Sequence, residues 1–387
     1  MCTKKASVNS IFREYADEYL KKYQTDDYTK KIIRAIIDCR TEKLGGHIQK
    51  CDNCGEEIEL YNSCRNRHCP QCQFMKKEKW VDEKKKDILP FQYFHVVFTL
   101  PDKLNPIVYR NKKIIYKLFF DKIKETLLSV AEEEKYFGAV IGFFAILHTW
   151  GQKLNLHPHI HCVVPGGGFL SNQNKWKNAP VNYLLPVEVL KQRFRSLFLV
   201  ELKSLYYNGG LYLENSIYKD KKNFQNLIDE MFKKEWVVYI KESFKNSDSV
   251  IEYLSKYTHR IAISNHRIIS VKDGIVTFSY KDYEDNNKKK TLSIPVFQFM
   301  KRFLTHIVPY RFVRIRYFGL LSNSTKRKNI DRCREYYKIR EKKSVKRTWQ
   351  EILKNVTGVD ICVCQKCKKG KMIVKDIIYP LKVRAGP

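Results

Sequence analysis

The chain has 387 residues, 43% of them hydrophobic and 13% aromatic, enough to bury a large core; this excludes disorder for most of it and points to two or three modules. Lys and Arg number 73 against 41 Asp and Glu, a formal charge of +32 that exceeds what solubility requires, so the expected partner is a polyanion. The opening MCTKKASVNS lacks a signal-peptide apolar stretch, and the longest apolar run, residues 137–147, is too short to span a bilayer, so we expect a cytoplasmic protein that meets nucleic acid and no membrane.

Apolar residues at helical spacing (Phe12, Tyr15 and Tyr19, then Ile32, Ile33, Ile36 and Ile37) predict two helices between Val8 and Cys39, split near Thr25 to Asp27. Next comes LGGHIQKCDNCGEEIELYNSCRNRHCPQCQ, residues 44–73. Cys51-x2-Cys54 and Cys69-x2-Cys72 are two knuckles separated by 14 residues, a spacing that lets four thiolates close a tetrahedron around zinc. Cys64, His68, Cys39 and His47 lie close by as further candidate ligands. The spacing leaves open whether one ion or two sharing eight ligands is held. Either way the metal is structural, because a full thiolate shell leaves no position for substrate. Arg65 and Arg67, on the second knuckle, are placed to touch phosphate.

From about Phe91 the pattern turns to strands. FQYFHVVFTLP predicts one; a helical stretch from Pro106 to Glu133 follows. AVIGFFAILHTW and HIHCVVPGGG predict two antiparallel strands joined by a connection of about eight residues, and WVVYIKESF another strand. SVIEYLSKYTHR predicts a helix opened by a Ser249/Glu252 capping box. GIVTFSYKDY with KKTLSIPV predicts a hairpin, and VFQFMKRFLTHIV a helix. Residues 326–347 hold 11 Lys and Arg against 3 acidic residues; this suits the solvated face of a helix and also the tracking of a phosphate backbone by Lys326, Arg327 and Lys328. Cys364-x2-Cys367, with Cys362 beside it, is half a zinc site and reads as a partial knuckle. The sequence has neither a P-loop nor a dinucleotide fingerprint. Antiparallel strands with intervening helices make the expected fold class α+β.

Residues two apart on a strand point the same way, so His159 and His161 present their imidazoles from one face, as a metal seat. If the neighbouring strand pairs across the loop, His148 falls opposite His159 or His161 and becomes the expected third ligand, with Gln152, His157 and His95 as rivals. Tyr253 and Tyr257 are four apart on the predicted helix, with Lys256 beside the second. A phenol attacks phosphate only once its proton, with a reference pKa of about 10, is removed, and a histidine-bound cation supplies the complementary polarisation of the phosphate.

HPHIH followed by VVPGGG, with YLSKY downstream, resembles the HUH superfamily of single-strand nickases. YNSCRNRHCPQCQ, FTLP, LHTWGQ, the DGIVTFSYKDY hairpin and RIRYFGLLSN are similar to one branch, the rolling-circle transposases of the insertion sequence 91 family; the likeness runs from about Cys39 to Asn323. It implies an HUH-type central antiparallel sheet flanked by helices, preceded by a helical zinc-binding module, with the tyrosine helix lying across the sheet. It further implies magnesium or manganese on His159, His161 and His148. Tyr253 and Tyr257 are then the nucleophiles, Lys256 the lysine between them, and single-stranded DNA at transposon ends and target the substrate, with no nucleotide cofactor. Where that family has a histidine near IRHYG, this chain has Arg316-Tyr317-Phe318-Gly319, which alters DNA contacts rather than catalysis. The expected domains are 1–90 (helical and zinc-binding), 91–323 (endonuclease) and 324–387 (basic, with the partial knuckle). Two other readings use the same residues: a metallohydrolase with activated water on the HxH pair, which leaves the tyrosines idle, and a zinc-dependent DNA-binding protein without cleavage.

Overall fold

The computed structural model describes residues 6–72, 78–83, 87–89, 91–171, 175–244, 250, 261–339 and 347–381. The chain forms two compact units, each assembled from separated segments: Met1–Glu83, His259–Ile307 and Ser344–Pro387 make one, Lys84–Thr258 and Val308–Lys343 the other. This departs from the expected run of three consecutive domains. The C-terminal segment belongs with the N-terminal one because strand and metal-site partners are shared between them, as described below.

In the first unit, helices α1 (Val8–Lys22) and α2 (Asp27–Asp38) flank the predicted break. Ser7 and Ser10 cap each other's backbone at the start of α1, and Asp26 accepts from the Thr29 N–H at the start of α2. The expectation of a helical module is corrected here: helices and strands are mixed. Strands β1 (Gly46–Cys51) and β2 (Glu57–Tyr61) pair antiparallel, and β13 (Met372–Ile378) adds to the other edge of β1. A second sheet is a meander of β9 (Ile268–Lys272), β10 (Ile275–Asp282) and β11 (Lys288–Pro295). Asp273 and Gly274, both at positive φ, form the two-residue turn that matches the twist of the first hairpin. The helix Val296–Thr305 follows, and its Phe303 meets Phe12 of α1 edge to face at 5.4 Å.

The second unit is built on a five-stranded antiparallel sheet whose strands, in order across it, are β12 (Ile315–Gly319), β4 (Gly142–Trp150), β5 (Leu156–Pro165), β3 (Tyr93–Thr99) and β8 (Val237–Phe244). Two short strands, β6 (Gly167–Phe169) and β7 (Trp176–Asn178), pair separately. Alternation sorts the side chains. Phe94, Val96, Phe98, Phe143, Ala145, Leu147, Ile160, Cys162, Val164 and Val238 join the core with residues of the helices Lys112–Glu132, Val187–Tyr207 and Lys221–Lys233. Their neighbours, His95, His148, His159 and His161 among them, occupy the other face. A one-residue slip would drive histidines into that core and expel large apolar groups worth about 1.5–3 kcal/mol each, so burial fixes the register of the functional face.

The β4–β5 hairpin is tighter than its sequence suggests. Leu156 already pairs with Trp150, which shortens the connection to residues 151–155, closed by the Gly151 N–H donating to the Asn155 carbonyl. The register shifts between His148 and Trp150, and Pro158, which cannot donate to a ladder, is accommodated there.

Candidate functional site

Three clusters of metal-ligating side chains stand out among the described residues: Cys39, Cys64, Cys69 and Cys72; Cys51, Cys54, Cys364 and Cys367; and His148, His159 and His161. Within each, the ligand atoms lie within 4.8 Å of one another.

The first cluster sits where α2 ends and the Cys69 knuckle folds back. Cys39 and Cys64 each place Sγ 3.5 Å from that of Cys72. Four sulfurs about 2.3 Å from one zinc ion have edges of about 3.8 Å, so the cluster has the dimensions of a zinc site and is far too open for a disulfide. The crowding shows in acidity. Hydrogen bonding from Cys39 and its neighbours holds the Cys72 thiol well below the usual range, whereas Cys64 and Cys69 are pushed up by the same contacts. Asn9, fully buried in α1, donates through Nδ2 to the Ile36 carbonyl at 2.7 Å and to Cys69 Sγ at 3.7 Å.

The second cluster corrects the sequence reading. Cys51 and Cys54 do not cluster with Cys69 and Cys72; they face the C-terminal knuckle. Cys51 lies 3.7 Å from Cys367 and Cys54 3.7 Å from Cys364. The strand pairing of β1 with β13 makes this possible, since Cys51 stands opposite Met372. The two knuckles repeat one turn: the Gly55 N–H donates to the Cys51 carbonyl, the Lys368 N–H to the Cys364 carbonyl, and both donors have positive φ. That shared turn was the available signal, masked at Lys368 by a residue that seldom adopts such a backbone. The Cys54 N–H donates to Cys51 Sγ and the Gly370 N–H to Cys367 Sγ, as thiolate acceptors require. Neither His68 nor His47 belongs to a cluster. His68 is buried, and His47 lies on β1 between Leu60 and Ile377. Cys362 is exposed outside the cluster.

In the histidine cluster, His148 pairs directly across from His159, and Ile146 from His161, so three imidazoles from adjacent strands meet on one face. His148 stacks on Trp150 at 4.7 Å. His159 donates from Nδ1 to the His157 carbonyl at 2.8 Å, so in the neutral ring Nε2 carries the lone pair. Nδ1 of His161 bonds Nε2 of His95 at 2.8 Å. Of the rivals for the third ligand, His95 thus lies behind His161, and burial, aided by Lys241, lowers its pKa to about 3 and keeps it neutral. His157 supplies its backbone. Cys162 faces the opposite side, in the core.

Tyr253, Lys256 and Tyr257, and the helix expected to carry them, lie outside the described residues. Of the arginines expected to touch phosphate, Arg65 is exposed at positive φ, but Arg67 is half-buried. On the helix Lys326–Tyr336, Arg327 and Lys328 are exposed, whereas Lys326 is held by Asp87 at 2.6 Å. No helix among the described residues is long and apolar enough to cross a membrane.

Residues 142–329 match a protein family described as "Putative transposase", and residues 11–100 one described as "Transposase zinc-binding domain". The chain is similar to "Putative transposase y4qJ" of Sinorhizobium fredii (strain NBRC 101917 / NGR234), 38% identical over 377 residues that cover 96% of this chain and 95% of the relative. It is also similar to "Transposase for insertion sequence element IS801" of Pseudomonas savastanoi pv. phaseolicola, 29% identical over 304 residues, 77% of this chain and 71% of the relative. No solved structure matches it.

Proposed function

Because the chain belongs to the insertion sequence 91 family of transposases, with a zinc-binding domain near its N-terminus, we propose that it nicks and rejoins single-stranded DNA through a 5′-phosphotyrosine intermediate during rolling-circle transposition. The observation that carries the proposal is the convergence of His148, His159 and His161 on one sheet face. His148, His159 and His161 would hold a divalent cation, and the chemistry it would supply is polarisation of the scissile phosphate and compensation of charge in the transition state. Three neutral nitrogens, with no carboxylate in the group among the described residues, suit manganese better than magnesium, which prefers oxygen. The two four-cysteine clusters have the ligands and dimensions of structural zinc sites.

Tyr253 and Tyr257 enter from the family pattern. One phenol loses its proton and its oxygen attacks phosphorus; the bond to the 3′ oxygen breaks, a 3′ hydroxyl leaves, and the 5′ phosphate stays on the tyrosine. Attack by a 3′ hydroxyl reverses these bonds and rejoins a strand, so no nucleotide cofactor is needed. The second tyrosine serves the second cleavage, and Lys256 offsets phosphate charge. The substrate is single-stranded DNA at the element's ends and target, met in the cytoplasm of a bacterium. Arg65, Arg327 and Lys328 are exposed cations, which supports their assignment as contacts to its backbone.

Labelled single-stranded DNA carrying the element's terminal sequence, incubated with the full chain and manganese or magnesium, is expected to give a covalent adduct that Tyr253→Phe with Tyr257→Phe abolishes. An adduct that survives both changes removes the nucleophiles proposed here. Cleavage without an adduct indicates attack by water instead, and binding without cleavage a DNA-binding protein only.

A further inference from the structure

We propose that His95 is a positioning residue for the histidine centre: its hydrogen bond to Nδ1 of His161 decides which nitrogen of that ring faces the cation. The proposal rests on the reading of His148, His159 and His161 as a divalent-cation site. His95 lies on β3, on the same sheet face as the centre. Its partner across the ladder is Val163, and the partner of His161 is Val97, so the two histidines are diagonal neighbours.

Nε2 of His95 lies 2.8 Å from Nδ1 of His161, and the rings are within 19° of parallel. Their centroids are 5.1 Å apart, much farther than the two nitrogens, so the rings meet edge to edge in nearly one plane. That is the arrangement of an N–H···N hydrogen bond, not of a face-to-face stack. A neutral imidazole has one N–H and one lone pair. With its lone pair on Nε2, His161 carries its proton on Nδ1 and donates it to Nε2 of His95, whose own proton is then on Nδ1.

His159 is anchored in the same sense, with Nδ1 donating to the His157 carbonyl. Both members of the HxH pair are therefore held through Nδ1, one by the backbone and the other by a side chain. The ring of Tyr239, edge-on to His95 at 5.9 Å, packs against that side chain from β8. Partners of this kind orient metal-bound histidines, and their loss typically weakens metal binding about 10–100-fold.

The test is manganese binding to the full chain by calorimetry and by electron paramagnetic resonance of the free ion, with nitrogen-15 resonance of the metal-free protein to read the His161 tautomer. His95→Ala is expected to weaken manganese binding about 10–100-fold and to blur the tautomer. His95→Gln, whose amide oxygen can accept from Nδ1 of His161, is expected to restore most of both. The positioning role is overturned if wild type binds manganese and His95→Ala binds it equally well. It is overturned too if folded His95→Gln is as weak as His95→Ala, or if His161 carries its proton on Nε2. Wild type that takes up no manganese overturns the cation reading itself, and this role with it.

Discussion

Cys39 and Cys72 stand 33 positions apart within one continuous stretch, whereas Cys54 and Cys364 stand 310 positions apart; the two clusters share a ligand set and differ in how the chain reaches it. Closing the longer loop, just over three doublings of length, costs about 2 kcal/mol more. A structural zinc site contributes about 10–16 kcal/mol, so that difference does not prevent the long-range site from closing. The local cluster is the more enclosed: Cys39 and Cys69 are fully buried and Cys72 nearly so, while Cys54 is exposed. A four-thiolate site can thus staple a local fold or tie remote segments together, and here one unit does both.

Cys69→Ser should have the largest effect. It is expected to lower zinc from two per chain to one and to destabilise the first unit most, read by metal analysis and thermal unfolding. Cys367→Ser should also remove one zinc, with a smaller loss of stability, and Cys51→Ser added to it should remove no more. If zinc were instead shared by Cys51, Cys54, Cys69 and Cys72, Cys367→Ser would leave the zinc content at its wild-type value. Gly370→Ala is a subtler probe of the remote cluster, because a Cβ there would sit 2.4 Å from Cys51 Sγ. It should cost about 1–3 kcal/mol, seen as faster loss of one zinc to a chelator while the second is retained. Asn9→Ala should have the smallest effect, about 1 kcal/mol from the lost hydrogen bonds behind Cys69, with both zinc ions kept.

Much of the histidine face was legible. Period-two alternation set His159 and His161 on one side of a strand, and pairing across a short loop brought His148 opposite His159. His95 was harder to assign, because the chain passes from β3 through the helices Asn105–Arg110 and Lys112–Glu132 and then β4 before it reaches β5, and local spacing does not say which strand lies next to which. The cysteine pairing failed for the same reason: Cys51-x2-Cys54 and Cys69-x2-Cys72 are neighbours in sequence, and only the pairing of β1 with β13 shows that their true partners differ. Likewise the register shift beside Pro158 shortens to residues 151–155 a connection that the sequence reading put at about eight residues.

The remote cluster also imposes an order of events on biosynthesis. At roughly 5–20 residues per second, a ribosome takes on the order of tens of seconds to travel from one half of this site to the other. The nearer cluster can acquire its ion during that interval, while Cys51 and Cys54 stay exposed as unprotected thiols, open to oxidation or to the wrong metal until the last knuckle emerges.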